Sequence, residues 1–133
     1  MLYALLAYHD EQEVLAWTEA QDAALMARLD QVHDRLTQEG HLGPAARLAG
    51  TSTAVTVGGK ALVLDGPFTE TKEALLGFYL LDCACLDDAV AAAKDLKAVN
   101  PGAVYEVRPV ALYLPGVALA RADGGPGLVR PAD

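Results

Sequence analysis

The chain has 133 residues, one domain by length, and 53% of them are apolar, ample for a core with some to spare for a further buried face. Eighteen Asp and Glu against ten Lys and Arg give a net charge of −8. That balance argues against a protein that grips nucleic-acid phosphates or an anionic membrane surface, but it allows a small anion held by one or two local cations.

Residues 2–8 predict a first strand. Both alternating sets, Leu2/Ala4/Leu6/Tyr8 and Tyr3/Leu5/Ala7, are largely apolar, so the strand needs cover on both faces. One layer of helices covers only one face, and a second subunit is the economical cover for the other. The apolar start has no basic segment and meets His9-Asp10-Glu11 at once. It is too short to cross a bilayer and unlike a signal peptide, so the expected location is the cytoplasm, with no membrane partner. Residues 11–18 read as either a short helix or an ordered loop. From 19 to 39, Leu25, Leu29, Val32 and Leu36 recur at helical spacing, and Gly40 stops the helix. His33 lies at the edge of this stripe and reads as a half-exposed surface histidine ahead of a catalytic one.

Residues 41–50, with His41, Gly43-Pro44 and Arg47, form a connection with strand tendency. Residues 51–57 alternate weakly as a strand, Gly58-Gly59 predicts a two-residue hairpin turn, and residues 60–64 return. The returning strand delivers Asp65-Gly66-Pro67-Phe68-Thr69-Glu70-Thr71-Lys72-Glu73. In this turn Gly66 accepts unusual backbone angles, Pro67 fixes φ, and the Asp65 carboxylate can take backbone N–H donors. Phe68 is expected to bury its ring, and Thr69 to cap a short helical turn. The stretch reads either as a structural turn or as a rigid mount for Asp65, Glu70 and Lys72 at a pocket mouth.

Residues 76–85 predict the next strand, with Gly77 marking a close backbone approach. Residues 87–97 predict a second long helix, capped by Asp87 after the staple residue Leu86, with Ala89, Val90, Ala93 and Leu96 on its packing face. Residues 103–112 predict the last strand. The order is a βαββαβ frame with an extra hairpin, the ferredoxin-like arrangement, of class α+β. Cys83 and Cys85 read as buried, inert thiols, and the three histidines and two cysteines have no metal-ligand spacing. No phosphate-binding glycine loop appears, since Gly58-Gly59 is a hairpin tip. No metal and no cofactor are expected.

The 65–73 stretch, followed by Gly77-Phe78-Tyr79-Leu80-Leu81, resembles the DGPF branch of the YCII-related proteins. The start 3–8, the segment Leu86-Asp87-Asp88-Ala89 and the segment Tyr105-Glu106-Val107-Arg108-Pro109-Val110 are similar to further parts of that family. The likeness covers residues 1–113 and leaves 114–133 as an extended or partly disordered tail. It implies a homodimer in which two ferredoxin-like subunits form a dimeric α/β barrel. Shorter members carry a helical histidine and an aspartate proposed as a catalytic dyad. Here Leu29 stands at the matching helical position, with His33 a turn later, and Asp65 matches the aspartate of the motif.

Two polar groupings follow. Glu106 and Arg108 share a face of the last strand, and Asp82 in the preceding strand can pair with Arg108. This is either a structural salt-bridge network or an arginine clamp for a substrate carboxylate. Asp65 and His9 both end strands, and if those ends adjoin they form a general acid/base pair. Barrels of this kind include isomerases and monooxygenases that need no cofactor and work by proton abstraction in an apolar cleft. On that analogy the candidate catalytic residues are Asp65, His9, Arg108 and Tyr79. Phe68, Glu70, Lys72, Asp82 and Glu106 are candidate binding residues, and the expected ligand is a small organic acid or an apolar molecule. The alternative is a non-catalytic ligand-binding or regulatory protein, because family members resemble companions of extracytoplasmic-function sigma factors.

Overall fold

The computed structural model describes residues 1–119. Strand β1 (Leu2–Asp10) leads into a short helix α1 (Glu11–Leu15) and the long helix α2 (Glu19–Gln38). Then come β2 (Leu42–Arg47), the short pair β3 (Val55–Val57) and β4 (Val63–Asp65), β5 (Glu73–Asp82), helix α3 (Leu86–Val99) and β6 (Val104–Pro109). The main sheet has the order β2-β5-β1-β6 with every pairing antiparallel. This mixed α+β architecture is consistent with a ferredoxin-like βαββαβ unit. Residues 114–119 carry no regular structure, and the expectation for 120–133 lies outside the described residues.

The helix signals are local. Thr18 caps α2 with its hydroxyl on the Gln21 N–H (3.1 Å), while the Gln21 side chain returns to the Thr18 N–H (2.9 Å). That reciprocal box satisfies two donors that the first turn would leave unpaired. At the other end the N–H of His41 reaches the Leu36 carbonyl (2.8 Å) and that of Gly40 the Thr37 carbonyl (3.0 Å). With Gly40 at φ +78°, this is a Schellman ending. Helix α3 begins earlier than expected. Its cap is Cys85, already extended and making no side-chain cap bond, so Asp87 and Asp88 fall in the first turn, where the helix's positive end favours them.

The predicted α2 stripe is the buried one, while on α3 Ala92 is buried and the expected Val90 is only partly so. Leu25, Leu29, Val32 and Leu36 of α2 and Ala89, Ala92, Ala93 and Leu96 of α3 pack on Tyr3, Leu5 and Leu81. Leu5, Leu81 and Leu96 are fully buried. The sheet face away from the helices carries Leu2, Ala4, Leu6, Tyr8, Phe78 and Leu80, all partly exposed, with Glu106 and Arg108 beyond them. Between Ala7 and Tyr8 the register slips: Ala7 faces Gly77, Tyr8 faces Leu75, and Leu76 is the extra residue of a bulge. The bulge's carbonyl is taken by the Leu48 N–H (2.9 Å). At Gly77 a Cβ would stand 2.9 Å from the Ala46 carbonyl oxygen, so the expected close approach is real.

The β3–β4 ribbon departs from expectation. Only 55–57 of the first stretch is strand, because residues 51–53 wind into a 3-10 turn. Its tip is not a two-residue turn on Gly58-Gly59. The strands pair Val57 with Val63, and the intervening 3-10 turn places Lys60 and Ala61 at positive φ. Its apolar side chains are open: Val55, Val57, Leu62, Val63 and Leu64 are all exposed. Among the described residues no helix is long and apolar enough to cross a membrane.

Candidate functional site

The 66–72 segment forms bends and no helical turn, so Thr69 caps nothing. Gly66 takes φ +104°, as the motif requires. Backbone and threonine contacts hold the turn: the Gly66 N–H donates to the Ala54 carbonyl (2.7 Å), and the Thr56 hydroxyl donates to the Gly66 carbonyl (2.8 Å). Asp65 is exposed, and its carboxylate accepts no hydrogen bond among the described residues. Phe68 is 90% exposed, so it does not pin the turn to the body of the protein, against the expectation that its ring is buried.

Glu70 and Lys72 line an open cleft of about 680 Å³ with Asp10, Glu11, Thr51 and Gly66. Neither forms an ion pair among the described residues. Glu11 ties the cleft wall together by accepting the Thr51 N–H (2.8 Å) and the Thr51 hydroxyl. Those bonds hold its carboxyl below the ordinary glutamate value.

His9 is 5% exposed and lies on the helix-facing side of β1, edge-on to Trp17 with ring centroids 5.2 Å apart. One ring nitrogen contacts its neighbour's Asp10 carbonyl (3.2 Å), and Nε2 has no partner among the described residues. It does not meet Asp65, so the expected acid/base pair is not formed. Arg108 and Glu106 are exposed on the far face of edge strand β6, and Asp82 instead faces the Met1 amino group at 3.4 Å. Strand β1 separates Asp82 from Arg108, which removes the expected network. Arg108 also lies on the opposite side of the sheet from Tyr79, so the fold does not bring those two together. His41 is spent on the Asp82 carbonyl (2.8 Å).

A different grouping forms on the helix-facing side. Tyr79, in β5 opposite Leu5, points at α2, where its hydroxyl lies 2.8 Å from His33 Nε2. The other nitrogen, His33 Nδ1, lies 3.2 Å from the Asp30 carboxylate one turn back. A carboxylate can only accept, so Nδ1 carries the proton, and the neutral ring then presents Nε2 as acceptor to the tyrosine O–H. Burial raises the pKa of the Tyr79 hydroxyl strongly, with Tyr105 and Asp30 adding to the rise and Arg47 opposing it. Burial also raises that of Tyr105, whose hydroxyl receives the Asn100 amide (3.4 Å). The two tyrosine rings approach to 6.5 Å across β1.

The sequence singles out neither Asp30 nor Asn100 for a site, and its reading of His33 as a surface histidine misses the contact with Tyr79. The helical i, i+3 spacing of Asp30 and His33 was the legible signal for their contact. Among the described residues no cluster of three or more His, Cys, Asp or Glu could hold a metal. Cys83 is buried, which raises its thiol pKa, whereas Cys85 is exposed, against the expectation that both are buried.

The family model for the YCII-related domain matches residues 1–112. An uncharacterised protein of Rhizobium meliloti (strain 1021) is 51% identical over 120 residues, spanning 87% of this chain and 97% of that protein.

Proposed function

The chain belongs to the YCII-related family, and from that premise we propose a small-molecule enzyme that moves protons with its own side chains in the space between helices and sheet. The observation that carries this reading is the Asp30–His33–Tyr79 chain. A substrate proton passes to the Tyr79 oxygen as the tyrosine's own proton passes to His33 Nε2. Asp30 stabilises the imidazolium that forms, as the orienting carboxylate does in a catalytic triad. Because burial disfavours the phenolate, the two transfers must be concerted. The reaction class is isomerisation, or another reaction that begins with removal of an acidic C–H proton. No cofactor enters this scheme, and the proposed location is the cytoplasm.

The apolar outer sheet face is assigned to a second copy, giving a dimeric α/β barrel. Support comes from the open Leu2, Leu6, Phe78 and Leu80 on the two central strands. A second reading, a ligand-binding or sigma-factor-associated regulatory protein, draws on the open cleft beside Glu70 and Lys72.

Nitrogen-15 spectra of the imidazoles test the relay. In the neutral imidazole of His33 the proton should sit on Nδ1, and an Nε2–H tautomer contradicts the scheme. In heavy water, enolisable acids and lactones should gain deuterium with the wild type and not with His33→Ala; equal rates reject it.

A further inference from the structure

The β3–β4 ribbon is a sheet of its own: its strands pair with each other and with no strand of the main sheet. The register puts Val55, Val57 and Val63 on one face and Leu64 on the other, with Leu62 at the entry to β4. All five are 59–67% exposed. Two short strands with both faces open are marginally stable in water, so such a ribbon needs a covering surface. Its base is nevertheless firmly tied. The Gly66 N–H on the Ala54 carbonyl and the Thr56 hydroxyl on the Gly66 carbonyl close it, at 2.7 and 2.8 Å. Thr51, just before the ribbon, is bonded to Glu11 of α1. The ribbon is thus held out from a fixed base and not packed back on the rest of the chain.

We propose that this ribbon is an arm that packs on a second copy of the chain. The arm adds to the sheet-face contact and rests on that reading for the pairing of two copies. Charge favours this occupant. Residues 40–64 hold no Asp or Glu, and their Lys and Arg are Arg47 and Lys60, in a chain of net charge −8. Two copies repel where acidic surface meets acidic surface, and an acid-free stretch approaches without that cost. Lys60 stands at the ribbon's tip and forms no ion pair among the described residues, so it complements the acidic surface of another copy. Area points the same way. The apolar side chains of the outer sheet face are each partly covered already. The five ribbon side chains and Phe68 are open. They offer on the order of 600 Å² to a contact that in a standard pair takes about 800 Å² from each partner.

Isotope-filtered spectra of pairs mixed from labelled and unlabelled full-length chains test the arm. Methyl groups of Val55, Val57, Leu62 and Val63 should show contacts to the other chain. Val57→Asp with Leu62→Asp changes only exposed side chains, so the circular-dichroism spectrum should stay native. Sedimentation should then give a pair about a hundredfold weaker. Ribbon methyls with no contact to the other chain, or a folded double variant that pairs as tightly as the wild type, overturn the proposal. So does a wild type that stays single at micromolar concentration. Ribbon signals that move only when phosphatidylcholine vesicles are added assign the ribbon to a lipid surface and overturn it too. Leu6→Glu separates the two contacts. Pairing lost in Leu6→Glu and kept in the ribbon variant sinks the arm alone. Pairing lost in the ribbon variant and kept in Leu6→Glu sinks the sheet-face reading alone.

Discussion

Tyr79 holds its proton more tightly folded than unfolded, because burial penalises the phenolate more than Arg47 relieves it. The neutral form is therefore the stabilised one. Its contribution is intact below the ordinary tyrosine value of about 10 and fades as pH rises beyond it. Tyr79→Phe should cost about 1 kcal/mol at neutral pH through the lost bond to His33. Above about pH 10 the variant should lose stability less steeply than the wild type. Urea midpoints across that range measure both effects, and parallel pH curves would show that Tyr79 does not ionise on unfolding. The partner of Tyr79 was beyond sequence reasoning. His33 and Tyr79 are 46 positions apart, and only the sheet register places one against the other.

At the scale of elements, the long helix has an end that one hydroxyl defines. Thr18→Ala removes the acceptor for the Gln21 N–H and should lower stability by about 1 kcal/mol, seen as a lower urea midpoint with an unchanged slope. The helices and main strands were legible because their apolar spacing is strong and local: the α2 stripe inferred from sequence is the set of residues now buried. Weaker signals failed where geometry elsewhere in the chain decides. Gly58-Gly59 looked like a hairpin tip, but the positive φ angles fall on Lys60 and Ala61. Phe68 reads as an anchor in the sequence, yet it is 90% exposed. For β6, spacing placed Glu106 and Arg108 on one face, as observed, but could not say which face the helices cover.

For the whole molecule, the outer sheet face poses the largest question. Contiguous apolar area of this kind, rimmed by charge, marks an interaction surface. Sedimentation at micromolar concentration should give twice the mass of one chain, and Leu6→Glu, at the centre of that face, should give single chains with native circular dichroism. A monomeric wild type would assign the face to some other partner. The bulge at Leu76 bears on both sides of the sheet at once. It acts as a frameshift in the alternation of β5. Read without the extra residue, Leu75 would stand beside His9 and Leu76 beside Tyr8. Read with it, the small Ala74 neighbours His9 in the interior, and Leu75 turns outward, 40% exposed. One inserted residue thus withholds a leucine from the crowded end of the core and hands it to the surface where a second copy is expected to sit.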